Sequence, residues 1–253
     1  MNFEGTTMTQ ASEPKRLAIV GALPDEVAGL MAEMGSDPAT QTEEFGGRRY
    51  HVGTLEGRPC VLTLARVGKV AAATTTAALI HRFDVGAILF TGVAGGAGQG
   101  VNIGDIVVAR QTLQHDLDAS PIFPRFEVPL TGLSRHEADA GLTDRLAAAA
   151  RAFLAEEERP ARLHEGLIIS GDRFVSTGAE VGRLRADLPE ALAIEMEGAA
   201  VAQVCHDYAV PFAIMRTISD RADDSAHVDF PAFLRDVASR YCDGVVRRFL
   251  RLA

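Results

Sequence analysis

At 253 residues, 47% of them hydrophobic, the chain suits one large α/β domain with a full core. Its formal charge of −9 gives no sign of a nucleic-acid partner, whose phosphates need clustered cations, and Arg247, Arg248 and Arg251 read as the wet face of a helix. No apolar run reaches membrane-spanning length, and Cys60, Cys205 and Cys242 lack paired spacing, so they read as buried thiols of a reducing cytoplasm.

Residues 1–15 read as a polar tail without the apolar stretch of a signal peptide, and Met8 is a candidate start. The domain is expected to cover 16–253. Residues 16–20 read as a short buried strand. The turn Gly21-Ala22-Leu23-Pro24-Asp25-Glu26 leads it into a helix, with Pro24 in the first helical turn. Residues 50–55 and 59–65 read as a hairpin around Glu56-Gly57-Arg58, and 68–83 as an Ala- and Thr-rich helix. An apolar strand at 86–91 runs into a glycine-rich loop at 92–100, and the next strand covers 105–109. The segment 110–142, with Pro121, Pro124 and Pro129, shows little periodicity. Long irregular segments inside a domain are often functional.

Residues 143–158 have the spacing of an amphipathic helix. Strands follow at 163–170, 191–194 and 211–217, and helices at 198–208 and 231–252. Phe233, Leu234, Val237, Tyr241, Val245 and Phe249 stripe the last helix. Strands and helices alternate without linker or repeat. That predicts a single-domain three-layer α/β/α sandwich on a central mixed sheet.

The glycine loop lets backbone N–H groups approach a ligand closely. It is neither nucleotide fingerprint: no GxxxxGK[ST] exists, and the GxGxxG register would end on Val101. Glu195-Met196-Glu197 and Ile218-Ser219-Asp220 each follow an apolar strand. Parallel strands set their carboxyl ends side by side, where ligands bind. An acid there is costly without a partner. Helix capping or a surface ion pair would explain any one of these carboxylates alone; together they read as a site.

The segments AIVGALPDEV (18–27), VGKVAAA (67–73), TGVAGGAGQGVNIGDIVVA (91–109), HDLDA (115–119), GLIISGDRFV (166–175), AIEMEGAAVAQVC (193–205) and VPFAIMRTISDRAD (210–223) stand in the chain in that order. Jointly they resemble the nucleoside phosphorylase/nucleosidase superfamily, most of all its 5′-methylthioadenosine/S-adenosylhomocysteine nucleosidases. The resemblance implies a nucleoside phosphorylase-like fold and a cytoplasmic homodimer. It implies hydrolysis of the N-glycosidic bond of an adenine thionucleoside, with no metal and no other cofactor.

Roles carry over by position. Glu26 matches the acid that activates the attacking water. Asp220, helped by Ser219, matches the acid that protonates adenine N7. Glu197 matches the carboxylate that holds the ribose hydroxyls, with Met196 against the sugar. Phe174 matches the aromatic stacked on adenine, Val175 the backbone at the base edge, and Phe230 a wall of the 5′-thio pocket. Val93, Glu195 and Arg216 complete the expected substrate-contacting set. The residue types suit the reaction. Cleavage leaves an oxocarbenium-like sugar and a poor leaving group; one acid mends the leaving group and another deprotonates water. Burial against Phe174 and Ile218 would keep Asp220 protonated.

Phosphorylases of the superfamily attack with phosphate and need arginine and backbone N–H groups to hold it. Glu26 in the first turn would repel phosphate, which favours water. Two departures bear on this. Val93 stands where the nucleosidases carry serine, and Arg66 stands for a small residue, which keeps a phosphorylase open. The stretch 120–127 also departs. In relatives it reaches the neighbouring subunit's 5′ pocket, a place for Ile122 or Phe123. His115, Asp116 and Asp118 could hold zinc or magnesium, but hydrogen bonding at a subunit contact suits them better. His227 belongs either to a lid or to plain surface. A nucleoside-binding module without catalysis is the third reading; retention of both Glu26 and Asp220 weighs against it.

Overall fold

The computed structural model describes residues 15–157, 160–223 and 225–252. The expected tail before Lys15, and with it the choice of Met1 or Met8, lies outside the described residues. The apolar runs become strands: β1 (Leu17–Gly21), β2 (Gln41–Phe45), β3 (Arg48–Leu55), β4 (Arg58–Leu64), β5 (Ala87–Phe90), β6 (Val93–Gly96), β7 (Ile106–Gln114), β8 (His136–Glu137), β9 (Leu163–Ser170), β10 (Ala191–Glu195) and β11 (Phe212–Asp220). The helices are α1 (Ala28–Ser36), α2 (Lys69–Phe83), α3 (Ala140–Leu154), α4 (Gly178–Asp187), α5 (Gly198–Asp207), α6 (Ala226–Phe233) and α7 (Ser239–Arg251). A 3₁₀ turn occupies Pro24–Glu26 and a π-helical stretch Leu234–Ala238.

One mixed sheet runs β2-β3-β4-β1-β5-β11-β6-β10-β9-β7-β8. Its centre is parallel: β1 pairs with β4 and β5, and β11 with β5 and β6. β11 also pairs antiparallel with β7 through Met215–Thr217. That contact closes β11, β6, β10, β9 and β7 into a ring. β11 therefore belongs to the open sheet and the ring at once, and all nine of its residues are buried.

Period-two alternation sorts the side chains onto two faces. Ala18 and Val20 of β1 pack with Leu79 and Phe83 of α2 and Val201 and Cys205 of α5. Ile19 points the other way, to Leu30 and Met34 of α1 and Val245 of α7. The helices α1, α3 and α7 cover that second face, where the rings of Phe153 and Tyr241 meet edge-on at 4.9 Å. Each large aliphatic side chain fully buried in these layers contributes about 1.5–3 kcal/mol. The expected three-layer α/β/α architecture on a mixed sheet is what the chain adopts.

Several boundaries differ from the expectation. β7 continues to Gln114 and α3 starts at Ala140, so the irregular segment is shorter than 110–142. The glycine loop contains β6. The last helix starts at Ala226 and includes Pro231. Pro231 has no N–H for the carbonyl one turn back, and the helix widens into the π stretch just after it. Among the described residues no helix is long and apolar enough to cross a membrane.

Candidate active site

The carboxyl ends of β1, β10 and β11 meet β6 around a cavity. Glu26, Val93, Phe174, Glu195, Met196, Glu197, Ser219, Asp220 and Phe230 all line it. So do Ala22, Leu23, Val67, Ala94, Gly95 and Ile194, which the sequence reading did not single out.

Pro24 opens the 3₁₀ turn, and that turn folds the Glu26 side chain back beneath the end of β1. Its Oε2 accepts from the N–H groups of Ala22 (2.7 Å) and Leu23 (2.9 Å), and its Oε1 from that of Val93 (3.0 Å). Gly92 makes room for this: a Cβ there would lie 2.6 Å from Oε1. Burial raises the Glu26 pKa, against the pull of Arg216 and the three amides. A carboxylate of raised pKa is a better base for water.

Asp220 ends β11. Its Oδ1 accepts from the Ala222 N–H (2.7 Å) and its Oδ2 from the Ser219 hydroxyl (2.8 Å). Burial raises its pKa despite both bonds, so the protonated acid is favoured. Gly95 lies close by: a Cβ there would sit 3.0 Å from Asp220 Oδ1. Val93 and Gly95, which meet the two carboxylates, are two residues apart on β6. Along a strand that is about 7 Å.

Glu197 stands at the start of α5, and its Oε1 accepts from the Gly68 N–H at 2.8 Å. Burial, and then the neighbouring Glu195 charge, push its pKa up to about 8. Phe174 is 43% exposed at the mouth, and its ring meets Phe230 edge-on at 5.5 Å. Val93 packs into an apolar cluster with Phe230 and Phe233.

Two residues of the expected substrate-contacting set do not line the cavity. Val175 turns its side chain into the apolar cluster of Ile169, Val181 and Leu188. Arg216 is fully buried behind Glu195, to which it donates from Nη2 (2.6 Å) and Nε (3.2 Å). Its Nη1 bonds the Met215 carbonyl, and its guanidinium lies 4.0 Å over the Phe90 ring. Glu195 reaches the wall, but its carboxylate is occupied. It accepts from Arg216, from the Gly198 and Glu197 N–H groups and from the Ser170 hydroxyl. Arg216 thus neutralises a floor that also carries Glu26 and Glu197.

Arg66 adopts a left-handed backbone (φ 67°) and turns its guanidinium to the Gly47 carbonyl, away from the cavity. Among the described residues, no Lys, Arg or His side chain lines the cavity. His115 is buried against Gly171, Asp116 pairs with Lys69 at 2.6 Å, and Asp118 accepts from Ser120. Among the described residues no three His, Cys, Asp or Glu side chains are grouped to hold a metal ion. His227 is exposed on α6, and Ile122 is 82% exposed.

The family model of the phosphorylase superfamily matches residues 16–251. This chain belongs to the phosphorylase superfamily. Among its relatives there, the 5′-methylthioadenosine/S-adenosylhomocysteine nucleosidase of Actinobacillus succinogenes is 36% identical over 236 residues, covering 91% of this chain and 96% of its own. The nucleosidase of the same name from Neisseria meningitidis, solved in complex with methylthio-immucillin-A, superposes with a TM-score of 0.86 at 36% identity. It covers 95% of this chain and 100% of that one. The futalosine hydrolase of Helicobacter pylori superposes with a TM-score of 0.83 at 32% identity, covering 94% of this chain and 98% of that one.

Proposed function

We propose that this protein hydrolyses the N-glycosidic bond of 5′-methylthioadenosine and S-adenosylhomocysteine, releasing adenine and a 5-thioribose. The observation that carries the reading is the pair of buried acids, Glu26 and Asp220, both of raised pKa, in one cavity that no cationic side chain lines among the described residues. Both acids line the same cavity, so that one can serve water and the other the leaving group, the division of labour seen in inverting glycosidases. A phosphorylase would need a cation for its phosphate, and Arg66 is turned elsewhere.

In this reading Glu26 takes a proton from water as it attacks the anomeric carbon. Asp220, held by Ser219, gives a proton to N7 so that adenine leaves neutral. Ionised Glu197 binds the ribose hydroxyls, and its charge favours the cationic sugar of the transition state. Phe174 covers the base, Met196 the sugar, and Val93 with Phe230 the apolar 5′ substituent. The protein acts in methionine salvage in the cytoplasm, its domain spanning 16–253. It works as a homodimer to which exposed Ile122 and Leu130 offer apolar surface.

The test is adenine release from methylthioadenosine in phosphate-free buffer, repeated with phosphate added. Hydrolysis gives equal release in both. Release only with phosphate overturns it. Futalosine is the nucleoside to try if neither buffer gives release, given the likeness to futalosine hydrolase.

A further inference from the structure

The turn between β4 and α2 supplies two parts of the cavity: the Val67 side chain and the Gly68 N–H that holds Glu197. Its backbone is unusual, with Arg66 at φ 67° and Gly68 at φ 98°. A non-glycine residue held left-handed, as Arg66 is, stores strain and persists only where its surroundings hold it. The holding groups lie outside the cavity. Asp172 Oδ1 accepts from the Lys69 N–H at 2.7 Å. Lys69 Nζ reaches Asp116 Oδ1 at 2.6 Å and Gln114 Oε1 at 3.0 Å. Asp116 Oδ2 accepts from the Asp172 N–H at 2.8 Å. The bonds close a ring through three residues. It ties the first residue of α2 to the chain just beyond β7 and β9, two parallel neighbours. Asp172 also stands two residues before Phe174, so the ring fixes a second wall of the same cavity.

We propose that Asp172, backed by Asp116 and the Lys69 ammonium, is a positioning residue that presents the Gly68 N–H to Glu197. The proposal rests on the nucleosidase reading, in which Glu197 binds ribose as the anion. Asp172 touches neither Glu197 nor the cavity; it acts through the backbone of Lys69. Other charged groups facing Glu197 are Glu195 from β10, Arg216 from β11 and Glu26 from the first turn, with Asp220 across the cavity. None of these is altered by a change at Asp172.

The test compares Asp172→Ala with Asp172→Asn. Both remove a charge; only Ala removes the oxygen that accepts from the Lys69 N–H. Positioning predicts that Ala frees the turn and weakens the Gly68 bond to the charged form of Glu197. The Glu197 pKa then rises by about one unit, the worth of one such bond. The acid limb of kcat/KM moves up equally, and kcat/KM on that limb falls about tenfold. Asp172→Asn stays within about twofold of the parent. If the two variants behave alike, or the limb moves down as removal of a like charge would make it, the proposal fails. A carboxyl-carbon NMR titration of Glu197 in the unliganded protein reads the same shift without turnover. An Ala-only shift there, in a protein that does not cleave methylthioadenosine, sinks the nucleosidase reading and keeps the positioning role. No NMR shift with Ala overturns the positioning role itself.

Discussion

Replacing Arg216 by Met removes the cation that faces Glu26, Glu195 and Glu197 while keeping most of the apolar stem over Phe90. The Arg216–Glu195 pair is sealed from solvent, with side-chain exposures of 1% and 2%. Breaking a buried pair from one side leaves the other charge stranded, at about 3–5 kcal/mol. For a chain of this size each kcal/mol lowers Tm by about 2–4 °C, so the expected drop is roughly 6–20 °C. Denaturant unfolding gives the free energy and calorimetry the Tm. Adding Glu195→Gln to Arg216→Met should recover part of the loss, because the stranded charge is gone while the amide acceptor stays. A loss below about 1 kcal/mol, or a double variant less stable than Arg216→Met alone, would refute the idea that Arg216 neutralises this floor.

Asp220→Asn should cut kcat by about 10²–10⁴ while an adenine nucleoside still binds, as isothermal calorimetry would register; near-normal turnover removes Asp220 from the acid role. Because burial raises the pKa of Glu26, Glu197 and Asp220 alike, kcat/KM should rise with pH as Glu26 and Glu197 ionise and fall as Asp220 loses its proton. Glu26→Gln should abolish turnover, and retained activity moves the base elsewhere. Glu197 binds its proton more tightly folded, near pKa 8, than unfolded. Its contribution to stability is therefore complete below the unfolded value and lost as pH rises through about 8. Glu197→Gln should accordingly raise Tm more at pH 8 than at pH 5, and an equal change at both would contradict the assignment. Gly92→Ala drives a methyl to 2.6 Å from Glu26 Oε1, so activity should fall more than stability; unchanged kcat would show that Glu26 can move freely.

The strand ends and their acids were legible because an apolar run followed by a carboxylate breaks the rule for burial, and function is the usual reason. Glu197 and Asp220 could be picked out on that ground, and Glu26, in the turn beyond its strand, only through the resemblance. Strand β2 carries no apolar alternation, since Gln41 to Glu44 are polar and mostly exposed, so only pairing with β3 makes them a strand. Helix α4 carries two glycines and buries only Val181, too weak a periodicity to read. The role of Arg216 was misplaced because the sequence cannot tell a cation lining a pocket from one sealed behind it. Only the contact with Glu195 and Phe90 decides that. The link from Asp172 to Glu197 runs through backbone N–H groups, which every residue has and no sequence pattern marks.

Strand β11 gives its first residues to β5 and its last to β6, with β7 joined on between. Its amides should therefore exchange with solvent only when the whole molecule opens, not by local fraying. Asp220 sits at the end of this doubly paired strand. Damage to a peripheral helix should lower the fraction of folded molecules before it degrades the chemistry of those that remain. A partly destabilised variant should then show fewer working sites, each turning over at the parental rate, rather than a full complement of slow ones.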